Sequence, residues 1–180
     1  MATPSIKRVT SSNETSTAGS KKPPDFTDIL NIPSQDVSRP KPLPQGTYLC
    51  VVKGNYREDK STKKGTEFSE YTLGILQALD DVDEEALTAS LTQDNGEVTR
   101  LQDKTLRVTM WHTPESRWRL KKFLNDLGIP EVDDAGTPMS LRDRMQYVPN
   151  CQVYAHVKHE PSNDGESMFA NVDRTAKIED

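Results

Sequence analysis

The sequence predicts a mainly β domain with helices, of the α+β class, behind a tail that holds no core. Three observations carry this. Five stretches are rich in β-formers or alternate apolar and polar residues. The helical signals cluster between the third and fourth of them. Residues 1–45 hold 7 of the 12 prolines and 12 serines or threonines, but only 11 apolar residues.

The tail comes first. Its composition cannot bury enough surface to offset the entropy of ordering, so Met1–Lys22 is expected to be disordered. An island at 25–32 interrupts it. There Phe26, Ile29 and Leu30 fall at i, i+3 and i+4, as in one amphipathic turn that docks on the domain or on a partner. Pro40, Pro42 and Pro44 then give an extended lead-in to a domain over 46–180.

The first strand signal runs from Gly46 to Arg57 and the second from Glu67 to Leu79, where Tyr71, Leu73 and Ile75 alternate with polar or small residues. An acidic insert over 80–103 follows. It carries eight acids against the single basic residue Arg100, with a weak helix over Asp83–Leu91. The third strand signal is Lys104–His112. Leu106, Val108 and Met110 take one side; Thr105, Arg107, Thr109 and Trp111 take the other.

A helix is expected from Thr113 as N-cap, with Pro114 at its first position and Leu120, Phe123, Leu124 and Leu127 as its apolar face. Gly128 ends it and Pro130 prevents its continuation. A short second helix starts at Ser140, with Asp143 three residues on. Leu141, Met145 and Val148 form its buried side. The fourth strand, Asn150–Glu160, alternates Cys151, Val153, Ala155 and Val157 with Gln152, Tyr154, His156 and Lys158. A turn at Pro161–Gly165 leads to the fifth, from Glu166 to about Lys177. This order suits a five-stranded OB-like barrel with helices between strands three and four. An SH3-like barrel and a small sandwich are the competing layouts.

Composition narrows the function. A net charge of -5 argues against a protein that coats nucleic acid by bulk charge. No apolar run approaches the ~18–20 residues of a membrane span, and Met1–Ser20 has no secretory h-region. Cys50 and Cys151 are too few for a disulfide scaffold and wrongly spaced for zinc. A reducing compartment is expected.

The candidate binding residues fall in two groups. The segment 53–64, read as the loop between strands one and two, offers Lys53, Tyr56, Arg57, Lys60, Lys63 and Lys64. In an OB-type barrel that loop borders the ligand groove, where cations meet phosphates and flat rings meet unstacked bases. The second group is on the outward strand faces: Arg107 with Trp111, and Tyr154 with His156 and Lys158. The competing readings are a solvated lysine-rich hairpin and a second sheet face covered by other elements.

Trp118 lies away from the apolar stripe of its helix, beside Lys122. It is expected to fold back onto the sheet; an exposed partner contact is the alternative. Asp80–Glu85 reads as a solvated helix start rather than as metal-binding or nuclease carboxylates. His156 and His159 point to opposite strand faces and make a poor metal pair. Nucleotide-binding and nucleophile-elbow motifs are missing.

The segments PLPQGTYLCVV, KKGTEFSEYTLGIL, RLKKFLNDLGIP, SLRDRMQYVPNCQVYAHVKHE and DGESMFANVDR come in an order that resembles small bacteriophage single-stranded-DNA-binding-like proteins of replication and recombination modules. The resemblance runs from about Asp25 to Asp173; the acidic balance and the insert depart from it. It implies an OB-like barrel, no cofactor, no catalysis, and action in the cytoplasm of an infected host cell. The implied partners are single-stranded DNA and a recombinase or replisome protein, met through the tail or the insert. Self-association is left open. The alternative is a phage structural or host-interaction protein that uses the same barrel for protein contacts.

Overall fold

The computed structural model describes residues 41–93, 96–162, 165 and 167–178. The expected tail with its island at 25–32 lies outside them, except for the last residues of the lead-in. There Leu43 and Pro44 are buried, the Tyr48 hydroxyl donates to Pro44 O at 2.8 Å, and His159 Nε2 lies 2.7 Å from Leu43 O.

The chain forms β1 (Gly46–Val52), β2 (Arg57–Lys60), β3 (Glu67–Ala78), α1 (Glu84–Leu91), β4 (Thr105–Trp111), α2 (Arg117–Asp126), α3 (Leu141–Met145), β5 (Gln152–Pro161) and β6 (Met168–Ala176). The sheet is antiparallel and open, with six strands where the sequence predicts five. The extra strand is β2. Arg57-Glu-Asp-Lys60 has no β-former, and all four residues are exposed. It pairs because β1 and β2 run in turn along the same edge of β3, Val52 opposite Leu73 and Arg57 opposite Glu70. The expected loop over 53–64 is therefore a short break at 53–56, a strand, and a turn over 61–66.

β3 is central. It pairs with β1 and β2 on one side and β4 on the other; β5 joins β1, and β6 joins β5. The edges are thus β4 and β6. They come alongside each other, with α2 packed against both, and no ladder joins them among the described residues.

Period-two patterning sets which face is inside. Tyr48, Cys50 and Val52 of β1, Tyr71, Leu73 and Ile75 of β3, Leu106 and Val108 of β4, and Val153, Ala155 and Val157 of β5 are all buried. Each large apolar side chain among them is worth roughly 1.5–3 kcal/mol of transfer free energy when fully buried, so a register slip would forfeit the whole set. Burial pushes the Cys50 thiol up to about 12, so it stays a neutral core group. From α2, Leu120, Phe123 and Leu124 close the core, and Phe123 packs on Tyr71 at 4.9 Å between ring centroids.

The helix ends show both a match and a shift. Gly128 takes φ +74° and Ile129 N donates to Leu124 O at 3.1 Å, which stops α2 as expected. Its start is one turn later than Thr113 predicts. Residues 113–116 form a turn instead, with the Ser116 hydroxyl donating to Trp111 O at 2.6 Å. α3 starts at Ser140 with the expected capping box to Asp143. Met145 and Val148 are buried and Leu141 is half-buried. The helix also buries Arg144, whose Nη2 donates to Asn125 Oδ1 and to Ile129 O, each at 2.6 Å.

The acidic insert is anchored at the far end of β3. Asp81 accepts from Thr47 N at 2.9 Å and from the Thr47 hydroxyl at 2.7 Å. These two donors hold its carboxyl below the usual carboxylate range. Asp83 caps α1 by accepting from Ala86 N at 2.6 Å, with Glu84 and Glu85 in the first turn. No helix among the described residues is long and apolar enough to cross a membrane.

Candidate nucleic-acid interface

The outer face of β3 and β4 collects part of the expected set. Ser69, Tyr71, Leu73 and Ile75 point inward, so Phe68, Glu70, Thr72 and Gly74 point out, opposite Trp111, Thr109, Arg107 and Thr105. Trp111 is 41% exposed, and its ring centroid lies 5.0 Å from that of Phe68 at a tilt of 60°. That pair gives an aromatic ledge whose geometry is favourable in itself. Arg107 stays exposed, 3.7 Å from Glu70.

Lys53 joins this face through a glycine. A β-carbon at Gly74 would lie 2.1 Å from Lys53 Cε, so the lysine stem crosses the sheet where residue 74 has no side chain. Lys63 and Lys64 are exposed in the turn between β2 and β3. Among the described residues, Lys53, Lys63 and Lys64 make no ion pair.

Other expected residues are committed elsewhere. Tyr56 is half-buried with its ring 5.6 Å from Tyr71, so it completes the core rather than offering a free stacking surface. Arg57 holds Asp59, and Lys60 holds Glu67 at 3.0 Å. Lys158 holds Asp173 at 2.8 Å, and its donation keeps that carboxylate below its ordinary range. Tyr154 is half-buried on β5, opposite Leu49. Trp111 lines two concavities of the surface, and Tyr154 lines neither. The structure therefore does not bring Tyr154 to Trp111.

Beside the ledge, a groove of about 560 Å³ runs between the edges of β4 and β6 under α2. Arg107 and Trp111 line it from β4, Trp118, Arg119 and Lys122 from α2, and Arg174 from β6. Trp118 is 58% exposed, so it does not fold back onto the sheet as expected. The Arg119 guanidinium lies 5.5 Å from its ring centroid, a cation–π contact that stiffens both side chains. Lys122 is spent structurally: it donates to Asp126 at 2.7 Å and to Thr175 O at 2.9 Å, tying α2 to β6.

Arg119 and Arg174 make no ion pair among the described residues. Two carboxylates also line the groove: Lys158 pairs with Asp173, while Glu160 accepts from the neutral Asn171 at 2.7 Å and keeps its charge, one against the two of Arg119 and Arg174. The cations left over give the groove a positive bias. Sequence patterning misses Arg119 and Arg174, because β6 returns to α2 from more than 50 residues away. The polar side of the α2 wheel, on which Trp118 sits with Lys122, is the one available signal.

Among the described residues no three His, Cys, Asp or Glu side chains are arranged to hold a metal ion. No protein-family model and no curated protein matches the chain.

Proposed function

We propose that this is a non-catalytic single-stranded DNA-binding protein of phage type, acting in DNA replication or recombination in the infected cell's cytoplasm. One observation carries the reading. Two exposed tryptophans share a single groove with the guanidinium groups of Arg119 and Arg174, which make no ion pair among the described residues. Unstacked bases need flat apolar faces and phosphates need cations, and sequence-independent binders combine the two in one channel. Trp111 and Trp118 would stack bases while Arg107, Arg119 and Arg174 neutralise the backbone. Lys53, Lys63 and Lys64 extend the positive field over the neighbouring face.

The sheet order supports an OB-type reading. With β1 and β2 counted as one broken strand, the order is third, second, first, fourth, fifth, with helices between third and fourth. We read the β4–β6 seam as the closing seam of such a barrel.

The test is fluorescence anisotropy of labelled oligo-dT titrated with protein at two salt concentrations. The expected result is micromolar or tighter binding that weakens with salt. No binding at low salt would overturn it. The weight would then pass to a protein-contact role in the virion or at a host factor, which the anchored acidic insert favours. An ordered assembly by light scattering, unchanged by oligonucleotide, would mark that outcome.

A further inference from the structure

A second concavity, of about 350 Å³, lies on the other side of Trp111. The end of β4, the turn before α2 and the start of α3 border it, and it opens widely to the surface. Its floor is apolar: Leu120 and Met145 are buried there, and Leu141 is half-buried. Its charged rim is basic only, Arg117 and Arg142, and no carboxylate lines it among the described residues. The size falls within the ~300–1,000 Å³ of small-molecule sites.

We propose that this pocket is a second subsite for the same single strand, taking one unstacked nucleotide beyond the groove. The inference rests on the single-strand reading above. Trp111 lines both concavities, so a strand leaving the groove passes over its indole and meets the pocket next. The base settles on Leu120, Leu141 and Met145 against Trp111. The phosphates on either side lie within the field of Arg117 and Arg142.

The rim cations differ in their partners. Arg117 spends Nε on Pro114 O at 3.2 Å, which fixes the guanidinium while its terminal nitrogens stay free of ion pairs among the described residues. Arg142 pairs with Glu58 at 3.1 Å across exposed surface, as Arg57 and Lys60 pair with their carboxylates, so a phosphate reaches it by displacing Glu58. The floor is rigid. The Ser140–Asp143 capping box fixes the start of α3, and buried Arg144 ties α3 to Ile129 O. A preformed pocket costs the ligand little ordering. A segment of acidic residues alone would satisfy the two arginines but leave the apolar floor and the indole wall unused.

The test compares oligo-dT of increasing length, from about 4 to about 12 nucleotides, on the full chain and on the Arg117→Ala/Arg142→Ala variant. Both substitutions are exposed, and a thermal melt checks the fold. The wild type is expected to gain about tenfold in affinity once the oligonucleotide is long enough to cross Trp111. The variant should bind the short oligonucleotide like the wild type and lack that gain. Its salt dependence on long oligonucleotides should be shallower, by about 0.7 for each phosphate that the two arginines no longer neutralise. An equal gain in the variant overturns the subsite, as does an equal loss at every length. So does a poly-glutamate peptide that loses binding to the variant while the length gain persists, since the pocket then serves an acidic protein. A wild type that binds no oligonucleotide overturns the single-strand reading itself, and the subsite with it.

Discussion

The two ends of β3 differ in kind. At one end Phe68 meets Trp111, and the groove and the pocket flank that ledge with aromatic side chains and more basic than acidic ones. At the other, ten residues along and about 34 Å away, the chain turns beyond Ala78 into an insert with eight acids and one basic residue. The net charge of -5 is therefore uneven along the chain: the insert carries -7, residues 1–45 carry +2, and the rest of the domain balances. The bulk figure excludes a uniformly basic coat, yet it leaves room for a local site. Acids more than about 8 Å from the ledge, the Debye length at physiological salt, are largely screened.

The largest effect should come from removing the stacking rings. Trp111→Ala with Trp118→Ala is expected to weaken oligo-dT binding about a hundredfold or more, since each stack is worth roughly 1–3 kcal/mol. Trp118 is mostly exposed and Trp111 packs on Phe68, so the melting temperature should fall only modestly, by the loss of that contact. A large fall in melting temperature would place them in the core and erase the contrast between the ends.

Arg144→Ala should come next, as a stability effect. It leaves the Ile129 carbonyl without its buried donor and opens a void beneath α3. A loss of about 2–4 kcal/mol is expected in chemical denaturation. An unchanged midpoint would show that the wedge of α2 and α3 is held by apolar packing alone.

The insert's anchor gives a smaller, pH-dependent effect. Asp81 has a lowered folded pKa, because the Thr47 hydroxyl and amide both donate to it. Its stabilisation is therefore present above the unfolded value of about 3.9 and is lost as pH falls through the lower folded value. Asp81→Asn should cost under about 1 kcal/mol near neutrality, because the site is exposed. Below about pH 4 the variant and wild-type melting curves should converge. A constant gap down to about pH 2 would mean that the anchor does not work through the carboxylate's charge.

The smallest effect sharpens the comparison most. Asp80→Asn with Glu84→Gln and Glu85→Gln should leave oligo-dT affinity unchanged at about 150 mM salt. At about 10 mM, where the Debye length reaches about 30 Å, affinity should rise about twofold. A rise of about tenfold at physiological salt would show that the insert reaches the strand directly.

The contrast also separates what patterning makes legible from what it does not. Tyr71, Leu73 and Ile75 announce the inner face of β3, Gly128 announces the end of α2, and Ser140 with Asp143 announces the start of α3. Those signals are local, and local geometry decides them. β2 is hidden because Arg57-Glu-Asp-Lys60 pairs through the register that β1 imposes on β3, against its own propensity. Buried Arg144 is hidden because a basic residue reads as surface unless its carbonyl partner is known. Of the expected site residues, Lys53, Arg107 and Trp111 come together on one face. Tyr56 turns inward onto Tyr71, and Tyr154 lines neither the groove nor the pocket. The groove is made by α2 meeting β6, a junction that no single segment encodes.

The most direct test uses the chain's own reporters. Trp111 and Trp118 are its two tryptophans, and both line the groove. Intrinsic tryptophan fluorescence should be followed while oligo-dT is added, beside the anisotropy of a labelled strand. Quenching that saturates at the same protein-to-DNA ratio as the anisotropy is the predicted result. Binding by anisotropy with unchanged tryptophan emission would place the strand on another surface and contradict the assignment of this end of β3.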